Sequence, residues 1–141
     1  MTMELHRGRM IDHVHLVVAD LEASRRFYRA VLAVLGIELG GEGKTHFWAD
    51  ELFVSTADSR HSKGERTGRV HLAFQAPNRA AVDEYYRVGL ASGGRSNGAP
   101  GLRRYHPDYY AAFLLAPDGN TVEAVHPGPH ERSARSVVIR F

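Results

Sequence analysis

The sequence predicts an α+β chain made of two like modules, each a strand, a helix and then two or three antiparallel strands. Three observations carry this. An offset of 58 residues sets the chain on itself, so that His13 falls on His71, Ala23 on Ala81, Tyr28 on Tyr86, Arg29 on Arg87, Leu32 on Leu90 and Gly36 on Gly94. Such a repeat marks a fold assembled from similar units. Within each repeat a strand-like run comes first and a run with helical spacing of apolar residues follows. Finally, a histidine occupies the same position of both repeats, as a metal shared between modules would require.

The elements follow in order. Residues 1–9 are polar and read as a leader outside the fold. Residues 11–18, Ile-Asp-His-Val-His-Leu-Val-Val, are rich in β-branched side chains and predict a strand. Asp20 is placed as an N-cap and Glu22 in the first turn of a helix. That helix carries Phe27, Tyr28, Val31, Leu32 and Leu35 at helical spacing and stops at Gly36. Residues 44–57 predict a hairpin whose clearer strand is Leu52–Thr56, and the polar stretch 58–68 is a linker.

The second module opens with a strand over Val70–Gln75. Asn78 caps a helix running to about Ser92, with Val82, Tyr85, Tyr86, Gly89 and Leu90 on one face. Gly93 and Gly94 end it. Residues 95–108 predict a loop from their glycines and prolines. Strands over Tyr109–Leu115 and Asn120–Val125 flank the turn Ala116-Pro-Asp-Gly119. The modules are thus 10–57 and 69–126, one domain over 10–126, and 127–141 is a C-terminal extension.

Bulk properties exclude several classes. At 141 residues, 43% apolar and 24% charged, the chain suits one globular domain. Its net charge of +2 comes from scattered basic residues, so no nucleic-acid stripe is expected. No run approaches the roughly 18 apolar residues of a membrane span, and no signal-peptide core is present. Cysteine is absent, which removes disulfides, thiolate ligands and a cysteine nucleophile and fits a cytoplasmic setting.

Side-chain alternation in strands sorts the candidates by face. Val14, Leu16 and Val18 share one face; His13, His15 and Val17 share the other. Val70, Leu72 and Phe74 oppose His71, Ala73 and Gln75, and Val122 and Ala124 oppose Thr121, Glu123 and Val125. Three strands therefore pair an apolar face with an opposite face holding one candidate ligand: His13, His71 or Glu123. Two neutral imidazoles and a carboxylate would leave coordination positions open for water and substrate on one divalent ion, with Fe, Mn, Zn, Ni and Co all admissible. Taken singly, each of these residues has an ordinary reading as a hydrogen-bonded or solvated side chain; the repeat joins them.

Other residues form a second tier. His15, about 7 Å along the strand from His13, is a candidate general base or hydrogen-bonded pocket histidine. Strand parity places Tyr109 and Phe113 beside Glu123 as substrate contact and pocket wall. Gln75 shares the face of His71. Tyr105 and His106 precede the strand in a loop able to reach substrate, and Arg103 and Arg104 read as a solvated pair. His6, His46, His61, His126 and His130 show no pattern.

The segments Ile11-Asp-His13, Val18-Ala-Asp-Leu-Glu-Ala-Ser24, Phe27-Tyr28, Leu35-Gly36, Val70-His-Leu-Ala-Phe74 and Phe113-Leu-Leu-Ala-Pro-Asp-Gly-Asn-Thr-Val-Glu123 resemble the vicinal oxygen chelate superfamily over residues 10–126. That superfamily groups glyoxalase I, extradiol dioxygenases, and fosfomycin and bleomycin resistance proteins. The resemblance implies paired βαβββ modules forming a cup-shaped mixed sheet with helices outside. It also implies a divalent metal on His13, His71 and Glu123, a small oxygen-bearing substrate and a homodimer. The chain departs from glyoxalase I in the strand Leu52–Thr56, which holds no acid where that enzyme has a fourth ligand. It keeps the ligands that bleomycin-binding members lack. The expected function is a metal-dependent lyase, isomerase or ring-cleaving dioxygenase, with a non-catalytic small-molecule binding protein as the alternative.

Overall fold

A computed structural model describes residues 4–8, 10–60, 62 and 66–141. Its elements are β1 (Glu4–Arg7), β2 (Val14–Val18), α1 (Leu21–Val34), β3 (Gly41–Glu42), β4 (His46–Ala49), β5 (Leu52–Thr56), β6 (His71–Gln75), α2 (Arg79–Ala91), β7 (Arg95–Leu102), β8 (Tyr110–Leu115), β9 (Thr121–His126) and β10 (Val137–Arg140). Two four-stranded mixed sheets have the orders β2-β5-β4-β3 and β6-β9-β8-β7. In each sheet the module's first strand pairs in parallel with its last, and the remaining pairs are antiparallel. The repeat seen in the sequence is thus a repeat of sheet topology.

The chain forms two compact units. One comprises the described parts of Met1–Leu21, Leu39–Arg66 and Glu131–Phe141; the other comprises Glu22–Glu38 and Thr67–His130. Helix α1 therefore groups with the second module. Its buried residues Phe27, Tyr28, Val31 and Leu32 explain this: Phe27 lies against Gly94, and Val31 against Gly89 of α2. Burying side chains of this size stabilises by about 1.5–3 kcal/mol each.

In the first unit, one face of the sheet is the core. Leu16, Val18, Phe47, Ala49, Leu52 and Val54 are buried there. The register sets Leu16 beside Val54 and Phe47 beside Val54, so alternation sends His15, Trp48 and Phe53 to the other face.

In the second unit, Asn78 caps α2, its side chain accepting from the Ala81 amide at 2.8 Å. Val82, Tyr85 and Gly89 form the buried face of α2. Gly89 permits a close approach: a Cβ there would lie 2.2 Å from Leu114 Cδ1. Leu90, expected on this face, is 42% exposed, and Tyr86 instead donates to Ser96 Oγ at 2.7 Å.

Five other expectations change. β2 begins at Val14, so residues 11–13 precede the strand. β8 begins at Tyr110 rather than Tyr109, and β9 runs Thr121–His126. The glycine- and proline-rich segment expected as a loop is largely strand β7, paired with β8 through register shifts between Ser96 and Gly98 and between Gly98 and Gly101. Edge strands and bulges tolerate these residues because an amide there need not join the ladder. Residues 4–7, read as leader, form β1, which pairs antiparallel with β10 from the C-terminal extension, Leu5 opposite Ile139. Residues 1–3, 9, 61 and 63–65 lie outside the described residues, and with them His61 and part of the expected linker.

Gly89→Ala is expected to lower stability by about 1–3 kcal/mol through overpacking against Leu114, against the intrinsic helix preference for alanine. Urea unfolding of Gly89→Ala, Leu114→Ala and the double variant should show positive coupling; strict additivity would refute the contact. Asn78→Ala should cost about 1 kcal/mol in the same assay.

Candidate functional site

The second unit gathers four of the residues singled out by sequence. Parallel pairing of β6 with β9 sets Ala73 beside Glu123, and β8 sets Phe113 directly across from Glu123. Glu123 is only 3% exposed although it lies opposite the core face of its strand. A carboxylate buried to this degree needs hydrogen-bond partners, and it has two. His71 Nε2 is in close contact with Oε1, and the Tyr109 hydroxyl donates to Oε2 at 2.9 Å. Burial first, then the hydrogen bond to Glu123, pushes the Tyr109 phenol up to about 12.

The aromatic surroundings fix these groups. The His71 ring meets Phe113 edge-on at 5.9 Å, and the Arg103 guanidinium lies over the Phe113 ring at 5.0 Å while donating to the Ala99 carbonyl. Arg103 is thus part of this wall while remaining partly exposed. Tyr109 is flanked by the Tyr105 and His106 rings at 4.9 and 5.1 Å. His106 is exposed, with Nδ1 on the Pro107 carbonyl at 2.9 Å. Gln75 ends β6 on the exposed face.

The first unit holds the other two histidines in a cavity of about 340 Å³ lined by Leu5, Arg7, His13, His15, Trp48, Asp50 and Phe53. His13 sits just before β2, with its side chain 61% exposed and Nδ1 2.7 Å from Asp12 Oδ1. The carboxylate makes Nδ1 the protonated nitrogen and leaves the lone pair on Nε2. His15 is held differently. The Ser55 hydroxyl donates to the Thr56 carbonyl at 3.1 Å, so it accepts from His15 Nε2 at 2.7 Å. His15 also meets Phe53 edge-on at 5.0 Å.

Among the described residues, no three His, Cys, Asp or Glu side chains gather around one point. His71 and Glu123 stand as a two-donor pair, and their chemistry suits a divalent ion: an imidazole nitrogen and a carboxylate oxygen on adjacent strands, the carboxylate oriented by a phenol. Sequence reasoning missed Leu5 and Arg7, which the leader reading removed, and Trp48, Asp50 and Phe53. The alternation of β4 and β5 carried the signal for Trp48 and Phe53.

Comparison with known proteins agrees with this architecture. The model of the Glyoxalase/Bleomycin resistance protein/Dioxygenase superfamily matches residues 10–124. Uncharacterized protein YqjT of Bacillus subtilis (strain 168) is 33% identical, over 83% of this chain and 98% of the relative. The crystal structure of a glyoxalase/bleomycin resistance protein from Albidiferax ferrireducens T118 is 32% identical, with TM-score 0.70, covering 83% of this chain and 98% of that one. A lactoylglutathione lyase from Agrobacterium tumefaciens shares the fold at 23% identity and TM-score 0.61, over 84% of this chain and 93% of the other. With two matched sheets, two matched helices and a family match across most of its length, the chain belongs to the glyoxalase/bleomycin resistance protein/dioxygenase superfamily.

Proposed function

We propose that this chain is a divalent-metal-dependent enzyme acting on a small oxygen-bearing organic substrate, by lyase or isomerase chemistry or by ring-cleaving dioxygenation. The observation that carries the reading is the buried Glu123 carboxylate, held by Tyr109 and set against His71 Nε2. His71 and Glu123 would hold the ion. His13, whose Nε2 lone pair is directed by Asp12 on Nδ1, is the third ligand on the superfamily resemblance. Bound there, a divalent ion acts as a Lewis acid toward a substrate oxygen and stabilises developing negative charge.

The chain's own groups do the rest. Tyr109 orients Glu123 and keeps one of its oxygens engaged. Phe113 walls the His71 ring. His15, its Nε2 proton committed to Ser55, is the candidate proton acceptor. Gln75 and His106 are candidate substrate contacts. The homodimer and the cytoplasmic setting belong to the same proposal; no helix among the described residues is long and apolar enough to cross a membrane. A second reading, a non-catalytic small-molecule binding protein, is favoured by the aromatic cavity around Trp48 and Phe53.

Elemental analysis separates the two readings. Protein purified without added metal should carry close to one divalent ion per chain, and His71→Ala and Glu123→Ala should lose it. Equal metal content in all three would overturn the metal-enzyme reading. Tyr109→Phe should keep the fold and weaken metal affinity by about 10–100-fold, the usual effect of removing a group that orients a ligand; competition with a chromophoric chelator reads this directly.

A further inference from the structure

We infer that Arg7 is the recognition residue of the cavity in the first unit, and that it takes an oxygen acceptor on a flat aromatic ligand. The inference rests on the small-molecule reading above and adds the class of ligand.

Arg7 reaches the cavity from β1, in the ribbon that β1 and β10 form outside both modules. Its side chain is only 14% exposed. A guanidinium has five N–H donors. Here Nη1 donates to the His6 and Asp50 carbonyls at 3.2 and 2.7 Å. Nε is buried without a hydrogen-bond partner; its nearest acid is Asp12 Oδ1, an ion pair at 3.4 Å. Nε is closed to solvent, so the donors that Arg7 can offer from the cavity lining are those of Nη2, which no hydrogen bond among the described residues engages.

The walls set the ligand's shape. Trp48 and Phe53 are cross-strand neighbours on β4 and β5, and Leu5 of β1 also lines the cavity. The Trp48 ring covers Gly40 and Gly41, where a Cβ would come within 2.2 and 2.4 Å of it. Bare backbone there lets the indole lie flat against β3. The His15 ring stands edge-on to Phe53. Cavities of this volume with apolar walls and a few polar groups are suited to small organic ligands.

Charge narrows the oxygen. Arg7 is partly balanced by Asp12, and Asp50 also lines the cavity. The chemistry shared by an aryl carboxylate and an aryl carbonyl, an oxygen accepting from a guanidinium beside a ring, fits both the donors and the walls. An aryl cation fits neither Arg7 nor the paired Asp12.

Trp48 is the chain's single tryptophan, so its emission reports the cavity. Benzoate, benzamide and benzylamine are titrated into the full chain after metal removal by chelation. Benzoate or benzamide should give a saturable change, their ratio showing whether a charged or neutral oxygen is preferred. Arg7→Gln should raise the Kd of the better ligand by about tenfold or more. Because Arg7 also ties β1 to Asp50, a second variant keeps the arginine: Asp12→Asn, at an exposed site, should lower the Kd of benzoate by about threefold by removing a competing acid. No saturable change with either oxygen ligand, tighter binding of benzylamine, or Asp12→Asn without effect would overturn the inference. The assay contains no metal, so its failure leaves the metal reading to stand or fall on elemental analysis.

Discussion

A charged carboxylate removed from water must be given back what water supplied, and Glu123 is the residue of the second unit to which this applies most strongly. Desolvating such a group without partners costs several kcal/mol. The parallel β6–β9 pairing supplies one partner by setting His71 on the same face one diagonal step away. The chain turning into β8 supplies the other through Tyr109. Register, turn and side-chain choice are therefore coupled. A shift of either neighbouring strand by one residue would turn the partners to the wrong face and leave the carboxylate buried alone.

The first unit handles its polar groups in another way. Its two cavity histidines have different partners: an exposed carboxylate meets His13 Nδ1, and a hydroxyl whose own proton is already directed elsewhere meets His15 Nε2. The two rings thus donate through opposite nitrogens to these partners, although they are two residues apart. Position in a repeat aligns His13 with His71, but local partners determine which nitrogen each ring offers.

Much of this was legible in the sequence. Strand alternation named the face of Glu123 and placed Tyr109 and Phe113 next to it, because a two-residue period survives whatever the sheet packs against. Helical spacing likewise found α1 and α2, with Gly36 at a φ of +80° ending the first. What failed was nonlocal. Segment 95–108 has loop composition, and only a place at a sheet edge makes its first part, Arg95–Leu102, a strand. The strand that pairs with residues 4–7 is β10, 130 to 136 residues away, and no local pattern announces such a pairing. Leu90 follows the apolar spacing of α2 yet stays exposed. Arg7 was hidden for the same reason as β1.

The β1–β10 ribbon joins side chains as far apart as Glu4 and Arg140, 136 residues distant in sequence. Two strands paired only with each other are marginal by themselves, and their closure carries a large loop entropy that the four-stranded sheets do not share. With no third strand beside it, the ribbon has fewer ladder hydrogen bonds to hold it than the β2-β5-β4-β3 sheet has. Since it carries Leu5 and Arg7, any detachment of the ribbon strips one wall from the cavity.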